Sequence, residues 1–308
     1  MIKHNIKLMG SGTKGTRVSG ATLRQVLDVF VDGSKRALRF RSEGRSVAPG
    51  NDPAWLLKAA DFEFIGLANG STVICIESTA IQDAAPEKLL QIPMWNDADP
   101  NRSAFQMFEE ALIDAISGKA DSDHFDDGLL TTCAQLSSIF DRGIESIEIT
   151  NGSRQSPKIV VAPADIEQVT KLRKQIPPTQ MAKVSGKMDM IRHSDKAFEL
   201  VLDSGETIRG IAQNLDAEQL GPWYGKRVLI TGKAVFRPSG GILRIEATKI
   251  DPVEGTAPAF WAKAPRPIAI KFDERRFHKA QSARSGMNKV FGAWPGDETE
   301  EDIDALMR

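Results

Sequence analysis

The spacing of apolar residues predicts an α+β fold for residues 1–178. A helix is predicted over residues 20–44, with one face formed by Leu23, Val26, Leu27, Phe30 and Val31. Gly33 is expected to break or bend this helix. Further helices are predicted over residues 53–60, 103–117, 129–140 and 164–176. Strands are predicted over residues 2–9, 62–67, 71–77, 144–149 and 158–161, with Asn69-Gly70 as a hairpin turn between the second and the third.

Residues 179–252 follow Pro177-Pro178, which mark a boundary, and they show a different pattern. Five short strands are predicted over residues 181–190, 197–202, 207–211, 227–236 and 241–250, with a helical turn over 214–223. Three strands, a helix and two strands is the order of the OB fold, a small five-stranded barrel. Gly186, midway along the first strand, suits the sharp bend that this strand makes. An SH3-like barrel is the alternative, and the helix favours the OB-like barrel.

Composition places the chain among cytoplasmic proteins with a folded core. Its 308 residues are enough for two domains, and 41% are hydrophobic. Cys75 and Cys133 lie among apolar residues, which predicts buried thiols in a reducing compartment. The first residues lack the apolar stretch of a signal peptide, and no apolar run approaches the ~20 residues of a membrane span. We therefore expect no contact with membranes.

Residues 253–308 have a composition of their own and form a predicted extended tail. Residues 262–290 carry eight Lys and Arg against two acids, a net charge of +6. Residues 297–308 carry six acids against Arg308, a net charge of −5. Such a segment has too few apolar residues to fold alone. The net charge of the whole chain is only −1, so the total does not reveal these two oppositely charged segments. The predicted organisation is thus residues 1–178, 179–252 and 253–308.

The end of the tail has the features of a docking segment. Residues 299–302 resemble a capping box, and Ile303 and Leu306 follow on one face of a short helix. A helix of about two turns is unstable alone in water. We expect it to form when Phe291 and Trp294 enter a groove on a partner. The alternative is that the tail folds back onto its own domains.

The same residues carry a family resemblance. The string F-G-A-W-P-G-D-E-T-E-E-D-I over residues 291–303 resembles a W-P-G-D-E-[ST]-x-E-E segment near the C-termini of prokaryotic antitoxin-like proteins. Those proteins are paired with PIN-domain ribonucleases, whose acidic pocket holds Mg²⁺. The resemblance covers about eighteen of the 308 residues, and residues 1–250 resemble no family that we recognise.

The resemblance implies a non-enzymatic protein that docks on and inhibits a ribonuclease. Arg275 and Arg276 would approach the acidic pocket, and Phe291 and Trp294 would anchor the arm. The acidic helix would cover a basic rim that binds RNA. The predicted partner-binding residues are Arg275, Arg276, Phe291, Trp294, Pro295, Asp297, Glu298, Ile303 and Leu306.

Single-stranded nucleic acid is the alternative partner, because OB-like barrels bind single strands on basic, aromatic grooves. The candidate phosphate contacts are Arg192, Lys196, Arg237 and Arg244. Eleven cations against nine acids give residues 179–252 a charge of only +2. Phe198, Phe236, Trp223 and Tyr224 are available for stacking, but most are needed for the core.

Other chemistry is weakly indicated. Residues 10–15 match G-x-G-x-x-G, but the predicted helix starts several residues later, so a plain loop is favoured over a dinucleotide site. The acidic residues 121–127 are interpreted as a solvated helix connection rather than a Mg²⁺ site. The four histidines lack ligand spacing. We therefore expect no catalytic residues, no metal and no cofactor.

Overall fold

The computed structural model describes residues 1–268 apart from 14, 69–71, 86–98, 152–157, 193–195, 213–216 and 254–259. The predicted turn at Asn69-Gly70 lies outside the described residues, as does every partner-binding residue predicted between 275 and 306. The chain divides into two compact units, Met1–Ile270 and Lys271–Arg308. All of the described residues belong to the first unit.

An antiparallel sheet and its helices form the α+β domain. The strands are β1 (Ile2–Met9), β2 (Phe62–Ala68), β3 (Thr72–Ser78), β4 (Ser146–Asn151) and β5 (Ile159–Val161). The helices are α1 (Gly20–Glu43), α2 (Ala54–Ala60), α3 (Ile81–Ala84), α4 (Ala104–Ile116), α5 (Asp127–Ala134), α6 (Ser137–Phe140) and α7 (Pro163–Gln175). The strand order is β2-β3-β1-β4-β5. These elements confirm the predicted α+β class.

One hydrophobic core lies between the helices and one face of the sheet. Alternate residues of β1, among them Ile6 and Leu8, are fully buried and point into this core. From the helices, Phe30 of α1 meets Phe105 and Phe108 of α4 with ring centroids 5.4 and 5.7 Å apart. The helices and the sheet thus share one apolar core.

Two local predictions in this domain are wrong. Helix α1 is not broken at Gly33 but runs from Gly20 to Glu43. A Cβ on Gly33 would stand 2.6 Å from the ring of Phe108, so glycine allows close packing of α1 against α4. The single helix predicted over residues 129–140 is two, because Leu136 N donates to Cys133 O at 3.2 Å and tightens the chain. This turn keeps Leu136 and Ile139 fully buried.

The second part is a closed five-stranded barrel. It comprises β6 (Gln180–Arg192), β7 (Ala197–Val201), β8 (Thr207–Ala212), β9 (Arg227–Phe236) and β10 (Ile242–Pro252). Helix α8 (Ala217–Leu220) and a 3₁₀ turn (Gly221–Trp223) lie between β8 and β9. The cyclic order β10-β8-β7-β6-β9, with β8 and β10 parallel, is OB-like. The predicted barrel is therefore confirmed.

Strand β6 serves both sides of the barrel, as the sequence predicts. Residues 180–187 pair with β9, and residues 187–192 pair with β7. Gly186 lies at this change of partner, where a Cβ would meet Val201 O at 2.6 Å. The barrel has its own hydrophobic core, which includes Phe198, Ile230 and Ile245. The two cores belong to one compact unit, and polar contacts join their surfaces.

Candidate functional site

A buried ion pair occupies the contact between the barrel and the α+β domain. Arg244 Nη1 of β10 lies 3.5 Å from Asp126 Oδ2, and the side chains are only 9% and 8% exposed. Arg244 also donates to Glu246 Oε1 at 3.0 Å. Asp126 caps α5 by accepting from Leu129 N, and it accepts from Ser46 N at 3.0 Å. Arg244 is thus committed to carboxylates inside the protein.

Two more of the predicted phosphate-binding residues contact the α+β domain. Arg237 forms an ion pair with Asp123, and Ser239 N of the same hairpin donates to Ala120 O at 3.3 Å. Arg192 Nη2 donates to Ser42 O at the end of α1. Lys196, the fourth, is half-buried beside β7 and has a φ of 57°. The structure therefore places Arg192, Arg237 and Arg244 at an intramolecular interface.

The acidic loop of residues 121–127 differs from its interpretation as a solvated connection. Asp126 and Asp123 face the barrel through Arg244 and Arg237. Asp121 and Asp127 are exposed, as the interpretation requires, and the side chain of Asp127 is 59% exposed. The helix-capping part of the interpretation holds at Asp126. The sequence does not indicate the burial of Asp126, because its partner Arg244 lies 118 residues further along the chain.

A groove of about 1440 Å³ lies on another surface of the barrel. One wall is the first half of β6, and the other is residues 260–268, which run beside it. Ser185 N donates to Trp261 O at 2.8 Å. The Gln180 side chain donates to Arg266 O at 2.7 Å and accepts from Ile268 N at 2.9 Å. These bonds hold residues 260–268 against the barrel.

Aromatic and cationic side chains line this groove. Phe260 is 79% exposed, and its ring centroid lies 6.2 Å from that of Trp261. Lys183 Nζ stands 5.4 Å from the Trp261 ring centroid, within cation–π distance. Lys263 and Arg266 are exposed, and Glu206 is the acidic residue of the lining. The groove therefore carries three cations against one carboxylate.

No family model, curated protein or solved structure matches this chain. The sequence analysis does not predict this groove, because the composition of residues 253–308 is typical of an extended tail. Its signal is nevertheless present in the string F-W-A-K-A-P-R-P over residues 260–267, where adjacent aromatics precede Lys263 and Arg266. Segments of this composition place rings and charges close together even without periodic structure.

A second polar cluster is sealed inside the α+β domain. His4 is fully buried, and its Nδ1 donates to Asn151 Oδ1 while its Nε2 accepts from Ser78 Oγ at 2.7 Å. Asn151 Nδ2 in turn donates to Glu109 Oε2 at 2.8 Å. Glu109 Oε1 is buried without a hydrogen-bond partner among the described residues and lies 3.8 Å from His4 Nδ1. Histidine spacing along the sequence gives no sign of this cluster.

Burial shifts both titrating groups of this cluster toward their neutral forms. It raises the pKa of Glu109 to about 7, against the opposing effect of the bond from Asn151. It lowers the pKa of His4 to about 4, and the hydrogen bond to Asn151 offsets part of that effect. Glu109 is only 4% exposed, so the cluster offers no surface to a substrate.

Three further features of the described residues bear on chemistry. Residues 10–13 lie against residues 142–143, where Gly12 N donates to Gly143 O at 2.9 Å. Burial raises the pKa of the Cys133 thiol to about 12. Within the described ranges, no three His, Cys, Asp or Glu side chains are grouped as metal ligands. Among the helices described, none is long and apolar enough to span a membrane.

Proposed function

We propose that this is a non-enzymatic, antitoxin-like interaction protein whose C-terminal tail docks on and inhibits a PIN-type ribonuclease. The observation that carries the proposal is the order of the tail: a +6 segment, then Phe291 and Trp294, then a −5 segment. Positive charge suits a metal-binding acidic pocket, and paired aromatics suit an apolar groove. The tail motif resembles that of antitoxin-like proteins, which supports the same partner.

The positions of the titrating groups in the folded unit also support this proposal. The groups with the most strongly shifted pKa values, Glu109, His4 and Cys133, lie in the core of the α+β domain. The acidic loop holds the barrel through Asp123 and Asp126. Perturbed groups in an open cleft would favour catalysis, whereas these are enclosed. The enclosure of these groups supports a role in binding rather than in catalysis.

Co-purification with a PIN-type ribonuclease tests the docking step. The full chain should retain the nuclease, and deletion of residues 287–308 should release it. The point variant Phe291→Ala with Trp294→Ala should weaken the complex roughly tenfold or more, because aromatic anchors dominate such contacts. Tyr224→Ala, which removes a 65% exposed ring from the barrel, is the matched control and should bind normally. Unchanged binding after the deletion would sink the proposal.

The basic part of the tail has a separate test. Arg275→Glu with Arg276→Glu reverses charge where the arm would approach the acidic pocket. We expect this variant to relieve inhibition of Mg²⁺-dependent RNA cleavage while Phe291 and Trp294 still anchor the chain. Lys58→Glu with Lys171→Glu, which changes two exposed residues of α2 and α7, controls for the change in net charge. Full inhibition by the doubly reversed variant would contradict the role given to the arm.

A further inference from the structure

We infer that the groove between β6 and residues 260–268 binds single-stranded nucleic acid. The inference goes beyond the proposed function, because it concerns the folded barrel and needs no residue after Ile268. It also differs from a site built on Arg192, Arg237 and Arg244, which contact the α+β domain. The groove offers stacking rings, cations outside ion pairs and an open shape.

The rings are placed for stacking on bases. Phe260 is 79% exposed beside a half-buried Trp261, although exposed aromatic rings are costly to leave in water. Single-strand-binding proteins stack successive bases on such rings without reading sequence, because every base has a π-face. The centroids, 6.2 Å apart and inclined at 51°, leave the outer face of Phe260 accessible. Phe260 is therefore the principal stacking residue of the proposed site.

The cations are placed for phosphates. None of Lys183, Lys263 and Arg266 forms an ion pair with another described residue, in contrast to the arginines at the interdomain contact. Lys183 Nζ lies over the Trp261 ring, which places a positive charge beside an aromatic surface. Three cations against Glu206 make the groove complementary to a polyanion.

The shape of the groove favours nucleic acid over the other extended ligand, a peptide. A peptide would add as a strand to the free edge of β6. Residues 260–268 already lie along that edge, where Ser185 N is bonded to Trp261 O and Gln180 bonds two backbone groups. A volume of about 1440 Å³ also exceeds the range of about 300–1,000 Å³ that is usual for small-molecule sites.

Fluorescence anisotropy of a labelled 20-nucleotide single strand, titrated with the full chain, tests the inference. Phe260→Ala should weaken binding about tenfold, the typical effect of losing one stacking ring. Lys263→Glu with Arg266→Glu should weaken it further and flatten the salt dependence, whose log–log slope should be about −2 for three phosphate contacts. Tyr224→Ala is the matched aromatic control, and Lys58→Glu with Lys171→Glu, two exposed residues, is the matched charge control. Neither should change the affinity.

Four further outcomes distinguish binding in the groove from binding elsewhere on the chain. Deletion of residues 287–308 should leave oligonucleotide binding intact, which separates this inference from the docking of the tail. Absence of binding at low salt overturns the inference. So does a loss of binding confined to Arg275→Glu with Arg276→Glu, which would locate the contact in the basic arm. Binding of an acidic peptide but not of the oligonucleotide would assign the groove to a protein partner instead.

Discussion

Arg244 of the barrel and Asp126 of the α+β domain form an ion pair from which solvent is almost excluded, with Nη1 3.5 Å from Oδ2. Asp126 also caps α5 and binds Ser46 N. A single carboxylate thus joins a helix N-terminus, the loop after α1 and the barrel. Removing it leaves Arg244 in a buried position with Glu246 as its remaining carboxylate partner among the described residues.

We expect Asp126→Ala to lower the free energy of unfolding by about 3–5 kcal/mol, as is usual when one partner of a buried pair is removed. Urea unfolding monitored by circular dichroism measures this. The control is Asp127→Ala, the next residue, whose exposed pair with Arg173 should contribute about 0–1 kcal/mol. Equal losses in the two variants would show that the contact with the barrel contributes little.

Glu109 should make stability fall as the pH rises above 6.5. Its pKa is about 7 in the folded state against an ordinary value of 4.5, so between these values the folded state binds more protons than the unfolded state. His4, with its pKa lowered from 6.5 to about 4, has the opposite effect, chiefly between those values. Above pH 6.5 the remaining protonation of the unfolded histidine offsets part of the loss through Glu109. From pH 6.5 to 8 the loss through Glu109 should be about 1 kcal/mol.

Glu109→Gln isolates this effect, because the amide keeps an acceptor for Asn151 Nδ2 and does not ionise. The free energy of unfolding should fall from pH 6.5 to 8 in the unmodified protein and should not fall in this variant. Glu63→Gln, on the exposed edge strand β2, is the control and should retain the full difference. If Glu109→Gln also retains it, another group causes the pH dependence.

Gly33→Ala should destabilise the protein even though alanine favours helices. The added Cβ would stand 2.6 Å from the Phe108 ring, and overpacking of this kind costs about 1–3 kcal/mol. The gain in helix propensity is about 1 kcal/mol. Gly20→Ala, in the first turn of the same helix, has no atom within 4 Å and should be neutral or stabilising. Thermal unfolding compares the two, and a stabilised Gly33→Ala would refute the packing argument.

The sequence predicted those parts of the fold that depend on local patterns. Apolar periodicity located the helices and the strands, and the order of five strands with one helix predicted the OB-like barrel. It did not predict the burial of Asp126, because the sequence pattern of a helix-capping carboxylate does not depend on whether water or Arg244 lies next to it. The sequence analysis also assigned Phe260 and Trp261 to the tail. The bond from Ser185 N to Trp261 O is a backbone contact, which a pattern of side chains does not indicate.

The bond from Ser185 N to Trp261 O has a consequence for solubility. The first half of β6 pairs with β9 on one side only, and an uncovered strand edge can pair with another molecule. Residues 260–268 cover this edge with irregular chain that includes Pro265 and Pro267, whose nitrogens cannot donate to a further strand. The segment thus protects the barrel from edge-to-edge aggregation, and a chain shortened to end at Pro252 should self-associate.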